Sequence, residues 1–201
     1  MMSNELLKRK ILDSIYNNKD NNYVIEKVIK VFDIVGGSQP PKSQFSEDEK
    51  DGYVRLYQTR DYGEKTVPVY VEKNSVSKFT KKGDILLARY GGSLGKVFIA
   101  EEGAYNVALA KVIIKDSKRF YNKFVYYYFL SSKYQNFTKS LSKMAQAGFN
   151  KNDLSDLTII IPPLEEQKKI VKKITIRIIA TTKKVIITIM KTNNRRYCII
   201  S

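Results

Sequence analysis

The stretch Gly148–Ile174, GFNKNDLSDLTIIIPPLEEQKKIVKKI, contains a loop, a strand, a stop and a helix start in immediate succession. Its glycine and polar residues predict a loop hinged at Gly148. LTIII at 157–161 is a short β-branched run, as strands prefer. Pro162-Pro163 ends that strand and presets the first turn of a helix, because a proline lacks an N–H and already holds a helical φ. In the helix that follows, Glu165 and Glu166 occupy the first turn and Lys168, Lys169, Lys172 and Lys173 come later, the order the macrodipole favours. Leu164, Ile170, Val171 and Ile174 form its apolar stripe.

Working upstream, the spacing of Phe120, Phe124, Tyr127 or Tyr128, Tyr134, Phe137 and Leu141 predicts one core helix over 120–141. An aromatic stripe at that interval is read as core packing and not as a base-stacking platform. Before it, strands are predicted at Tyr53–Thr59, Val67–Val71, Asp84–Tyr90, Lys96–Ala100 and Ala108–Lys115, with Pro68 marking an edge. VIEKVIKVFDIVGG leaves helix and strand open ahead of the turn at Gly36-Gly37, and SQPPKSQFSEDEKDG is a loop. Residues 4–17 place Leu7, Ile11 and Ile15 on one side of a short amphipathic helix, followed by a polar linker to Asn22. The expected fold class is therefore α/β (α+β), a mixed twisted sheet with packed helices followed by a spacer helix. Its parts are 1–22 (helix and linker), 23–162 (main domain), 163–174 (start of the spacer helix) and 175–201 (a basic Ile/Thr-rich tail).

Composition narrows the chemistry. The chain of 201 residues has no histidine and one cysteine, Cys198, which removes zinc sites, disulfide frameworks and imidazole catalysis together. The formal charge is +16. Ten of the 36 Lys and Arg lie after Glu166, where no acidic residue occurs, leaving 26 basic against 20 acidic side chains in residues 1–166. Such a balance suits a polyanion, although a solvated lysine-rich surface reads the same way. The N-terminus lacks a signal-peptide core and no window reaches membrane length, so a cytoplasmic location is expected.

The cluster Arg89-Tyr90-Gly91-Gly92-Ser93-Leu94-Gly95-Lys96 is no P-loop, which would need Gly at Tyr90 and Ser or Thr at Val97. A tight strand connection with positive φ at one or more glycines is the structural reading. Arg89 and Lys96 could still meet a DNA phosphate there. Two carboxylate groupings, Asp61 and Glu64 with Lys65, and Glu166 with Lys168, are too sparse for a nuclease site. No glycine-rich methyl-donor loop of the usual form is present. Tyr53, Arg55, Tyr57, Gln58, Arg60 and Tyr62 interleave aromatic, amide and guanidinium groups, which suits base or phosphate contacts as well as an exposed strand of half-buried tyrosines. Lys143, Gln146, Asn150, Lys151 and Asn152 form a second donor-rich cluster. The DNA-contact candidates are thus Arg55, Gln58, Arg60, Arg89, Lys96, Gln146, Asn150 and Lys151, with no metal and no cofactor.

Gly148–Ile174 resembles the closing signature of target-recognition domains in specificity subunits of type I restriction-modification systems. The resemblance extends through Gly36–Pro41, Tyr53–Leu56, Arg60–Tyr62, Lys82–Lys96 (KGDILLARYGGSLGK) and Asn106, covering roughly residues 23 to 174. It implies a non-catalytic subunit that reads double-stranded DNA at one half of a bipartite site. It also implies methylase subunits and a nuclease-translocase subunit as partners. Gly83, Asp84, Gly91, Gly95, Asn106, Pro162, Pro163, Glu166 and Gln167 fall on framework positions of that pattern. A single recognition domain implies a half-length subunit that homodimerises through its terminal helices at 4–17 and 163–174, or a truncated remnant serving as a protein-interaction module without reading DNA. Beyond Ile174 the expected charged coiled-coil pattern is lost: fourteen of the 27 residues from 175 to 201 are Ile, Val or Thr. A shift of coding frame near codon 175 and a β-rich adaptation both account for that tail.

Overall fold

The computed structural model describes residues 9, 10, 12–14, 16, 23–64, 66–143 and 148–197, with the side chains of 142, 143, 181, 182 and 184–197 left out. Ten strands, four α-helices after residue 23 and a helical N-terminal segment organise these residues. β2 (Phe32–Gly36), β9 (Leu109–Ile114), β6 (Ile85–Ala88) and β7 (Val97–Ile99) form one antiparallel sheet in that order. β4 (Tyr70–Glu72), β3 (Tyr53–Tyr57), β8 (Gly103–Tyr105) and β5 (Phe79–Thr80) form a second, in which β3 and β8 run parallel. β1 (Val24–Lys27) pairs only with β10 (Thr158–Ile161), Val24 opposite Ile161, so the two ends of the domain lie side by side.

The unbroken apolar run of β6 follows from its position between two cores. Side chains alternate along a strand. Ile85 and Leu87 enter the main core with Phe32, Phe124, Phe129 and Tyr134, whereas Leu86 and Ala88 enter a second cluster with Ala100, Tyr105 and Leu109. A strand buried on both faces has no polar phase to show. A third cluster, Leu56, Val69, Val71, Val76 and Ala104, fills the smaller sheet.

Several expectations are corrected in detail. VIEKVIKVFDIVG is strand, one helical turn α1 (Val28–Val31) and strand again. Val67–Val71 contributes only Tyr70 onward to a strand. The single helix over 120–141 is two helices, α2 (Asn122–Leu130) and α3 (Ser132–Lys143). The break at Ser131 has a local cause. Ser131 is extended and its hydroxyl donates to the Tyr128 carbonyl at 2.6 Å, while the Asp13 carboxylate accepts from the Ser132 N–H (2.9 Å) and hydroxyl (2.6 Å). An acceptor supplied from the N-terminal segment thus caps a new helix. That segment is helical where described, and it buries Leu12 and Tyr16 in the main core. The predicted stripe Leu7, Ile11 and Ile15 lies outside the described residues.

The largest difference is at the C-terminal end. α4 runs Leu164–Tyr197 without interruption, so the helix does not fail after Ile174 and the segment is not β-structured. Between those residues there is no glycine and no proline. Ile, Val and Thr each cost only some tenths of a kcal/mol relative to alanine in a helix, so they weaken it without breaking it. Contacts on α2 carry the helix past the last residue of the predicted stripe: Ile178 packs on the main core and Thr175 Oγ1 lies 3.5 Å from the Tyr127 hydroxyl.

Gln167 joins these parts. Fully buried, its amide oxygen accepts from the Tyr121 N–H (2.9 Å), and its nitrogen donates to the Arg119 carbonyl (2.8 Å) and the Pro162 carbonyl (2.8 Å). Replacing it with alanine leaves three partly or fully buried backbone groups without this partner, each worth about 1 kcal/mol or more. Gln167→Ala is expected to lower unfolding free energy by about 3 kcal/mol in urea titration. Gln167→Glu is expected to cost at least as much, since an ionised carboxylate has no hydrogen for either carbonyl.

Candidate nucleic-acid interface

Two surfaces carry the residues that sequence alone nominated. The first is β3 with the 3-10 turn Thr59–Tyr62. Tyr53, Arg55 and Tyr57 share one face of the strand, as alternation requires. The Arg55 guanidinium is drawn back onto the turn, 2.9 Å from Asp61 Oδ1, and lies 5.4 and 5.7 Å from the ring centres of Tyr57 and Tyr70. Asp61, with its side chain 1% exposed, also accepts from the Gln58 N–H at 2.8 Å through Oδ2. The carboxylate that entered the sequence reading as a metal-ligand candidate therefore fastens the turn to the strand. Gln58 Nε2 is buried without a hydrogen-bond partner, whereas Arg60 is exposed. An open pocket of about 480 Å³ borders this surface, lined by Tyr53, Arg55, Tyr57 and Tyr70 with Glu49 and Glu102 among its other walls. Burial pushes the Tyr57 hydroxyl above its ordinary pKa.

The second surface is the glycine loop between β6 and β7. Gly91 and Gly95 have φ of +62° and +86°, the conformations expected for a tight connection. Gly95 is also pressed against α3: a Cβ there would stand 2.4 Å from Thr138 Oγ1, and the Gln135 amide donates to the Gly95 carbonyl at 2.9 Å. The other end of the loop is gripped by the segment after α3. Tyr90 and Gly148 form a β-bridge, the Phe149 N–H donates to the Arg89 carbonyl at 3.2 Å, and a Cβ on Gly148 would meet the Tyr90 ring. The loop and the Asn150–Lys151 segment, far apart in sequence, thereby become one surface.

On that surface Lys96 is exposed and Tyr90 is 39% exposed. Arg89 is half-buried, its Nη2 donating to the Tyr90 hydroxyl at 2.6 Å, and none of the ion pairs among the described residues involves it. Lys151 is paired with Asp33, which Lys115 also approaches at 3.8 Å. The hydrogen bond from Lys151 holds the Asp33 carboxyl below its usual pKa. Asn150 is exposed and builds its own turn, its Oδ1 accepting from the Asn152 N–H at 2.8 Å. Gln146 lies outside the described residues. Sequence reasoning missed the Arg55–Asp61 pair and the contact of Gly36 with Arg89, since no short-range spacing signals either.

The framework positions have visible work. Gly83 has φ +93° and its N–H donates to the Ala100 carbonyl (2.9 Å), while the Asp84 carboxylate accepts from the Lys81 N–H (3.0 Å). Asn106, 7% exposed, accepts from the Ala108 N–H through Oδ1 and donates its own N–H to the Tyr57 carbonyl, tying the two sheets together. The Pro163 carbonyl accepts from the N–H groups of Glu166 and Gln167. Glu166 faces Lys169 at 3.6 Å and Lys168 pairs with Glu165, so the second carboxylate–lysine grouping is a pair of helix-surface ion pairs. Among the described residues, no group of three or more Cys, Asp or Glu is placed to hold a metal ion, and no helix is long and apolar enough to cross a membrane.

Residues 20–191 match the family described as type I restriction modification DNA specificity domain. The chain belongs to that family. Among solved structures, this specificity domain resembles a chain from a study of complex assembly and conformational transition of the type I R-M system, with TM-score 0.71 and 23% identity over 92% of this chain and 47% of that one. It also resembles the HsdS subunit from Thermoanaerobacter tengcongensis (TM-score 0.66, 23% identity, 90% of this chain and 45% of that one). The type I restriction-modification S subunit from M. genitalium aligns with TM-score 0.60 and 13% identity over 94% and 52% of the two chains. The specificity domain thus spans about half the length of these structures, and they establish its fold. No curated protein matches the chain.

The buried Arg55–Asp61 pair makes a direct test of the first surface. Asp61→Asn leaves Arg55 without its counter-charge in a largely desolvated place, and unfolding free energy is expected to fall by about 2–4 kcal/mol. Arg60→Ala, at an exposed position, is expected to change it by less than about 0.5 kcal/mol. Urea denaturation of the two variants beside the unaltered protein measures both.

Proposed function

We propose that this domain reads one half of a bipartite duplex-DNA site as the recognition module of a type I specificity subunit. The family match over residues 20–191 carries the reading. In this proposal the domain contributes no chemistry of its own. It brings methylase subunits and a nuclease-translocase subunit to the DNA, in keeping with the type I assembly that one structural relative was solved to describe.

The two surfaces divide the labour. The exposed Arg60, Lys96 and Asn150 and the half-buried Arg89 are assigned to DNA contact. Arg55 and Lys151, whose charges are already engaged by Asp61 and Asp33, are assigned with the buried Gln58 to holding those contacts in place. Phosphate contacts set register on a duplex, and base edges supply the sequence information. The second recognition domain that a bipartite site requires is assigned to a pairing through α4. Ile176 and Ile179 of that helix are 55% and 50% exposed, apolar positions suited to a second helix.

Selection from random duplexes at moderate salt is expected to enrich a defined motif, and recovery of unenriched sequence would overturn the reading. Affinity for the selected site is expected to fall with salt at a log–log slope of about 0.9 per phosphate contacted. Sedimentation is expected to show self-association that Ile176→Asp with Ile179→Asp abolishes. A protein that is monomeric at all concentrations would remove the pairing while leaving DNA reading intact.

A further inference from the structure

Leu87 on β6, Ala110 on β9 and Gly36 at the end of β2 stand in one row across three adjacent strands. Arg89, two residues beyond Leu87, emerges on the same side of the sheet. Its side chain reaches Gly36, in a row where the β9 residue opposite is the small Ala110. A Cβ on Gly36 would lie 2.1 Å from Arg89 Nη1 and 3.4 Å from Cζ. The missing methyl is the space the guanidinium occupies. On its other side the guanidinium carbon sits 4.7 Å from the Tyr90 ring centre, and Nη2 donates to the Tyr90 hydroxyl at 2.6 Å, a bond open to solvent. Nε is buried with no acceptor, so the shaft of the side chain is enclosed while its tip is at the surface.

We propose that Gly36 and Tyr90 are positioning residues that hold Arg89 extended as a preset receptor for one phosphodiester oxygen of duplex DNA. The inference rests on the DNA-reading function proposed above and adds residues to it that the sequence did not nominate. An arginine on a free surface samples many rotamers and loses that freedom on binding. Here the glycine slot and the tyrosine hydroxyl have already fixed it. No described carboxylate neutralises its charge, and the second hydrogen on Nη2 remains for an anion. The neighbouring Gly91 and Gly92 have open space where a Cβ would stand, so a phosphate backbone can approach the loop closely.

Gly36→Ala tests this with little disturbance to the fold, because the atom displaced is the free end of a flexible side chain. The expected result is a loss of duplex affinity of roughly tenfold, the scale of one charge-assisted hydrogen bond. The salt slope is expected to shrink by about 0.9, the signature of one lost phosphate contact. Arg89→Ala is expected to give the same loss and slope. Gly36→Ala in the Arg89→Ala background is expected to add nothing. Tyr90→Phe, which keeps the ring and removes the hydroxyl, is expected to weaken binding by a smaller factor, again only while Arg89 is present. An unchanged slope in Gly36→Ala, or losses that add in the double variants, overturns the positioning role and leaves the DNA-reading function standing. Failure of the unaltered protein to bind duplex overturns both.

Discussion

The side-chain amide of Gln167 is the constraint on which the rest of the arrangement depends. It sits fully buried in the first turn of α4, and from there it satisfies one backbone group just after β10, at Pro162, and two just before α2, at Arg119 and Tyr121. Without it, the junction of strand end and helix start would leave three polar groups without this partner. With it, the direction in which α4 leaves the domain is set by hydrogen bonds as well as by packing. The main core fills around that junction, and Ile170, Val171 and Ile174 of α4 belong to it together with Phe120 and Phe124.

A second level of organisation fixes the glycine loop. Thr138 and Gln135 hold it from α3, and Gly148 and Phe149 hold it from the segment that follows. Both anchors belong to one stretch of chain on either side of residues 144–147. The loop is therefore clipped from two directions, which gives Arg89 and Lys96 a constant backbone geometry.

Much of this was legible in the residues. The strand, double proline and helix of Gly148–Ile174 are local signals, and β6, β7 and β9 appeared in place because their apolar runs have clear polar or glycine boundaries. The expected positive φ in the glycine loop is found at Gly91 and Gly95. What could not be read depends on partners distant in sequence. The interruption at Ser131 comes from Asp13, and a periodic aromatic stripe gives no hint of a cap supplied from so far away. β8 is three residues, Gly103–Tyr105, whose pairing with β3 and β5 alone makes it a strand. The continuation of α4 contradicts its composition because propensity is a weak preference, overridden by the absence of breakers and by contacts with α2. At the candidate interface, residue types were readable but occupancy was not. Arg55 and Lys151 look identical to free cations until Asp61 and Asp33 are seen beside them.

The pairing of β1 with β10 brings the chain in and out of the domain along neighbouring strands, which a sheet spaces about 4.8 Å apart. The chain between Lys27 and Thr158 is therefore a closed excursion from one neck. A loop there can grow, shrink or change its side chains without altering the separation of the flanking segments at the neck. The geometry uncouples the diversification of a surface from the mechanical reach of the helix that carries it. A change in what the excursion touches need not move the point at which α4 leaves the domain.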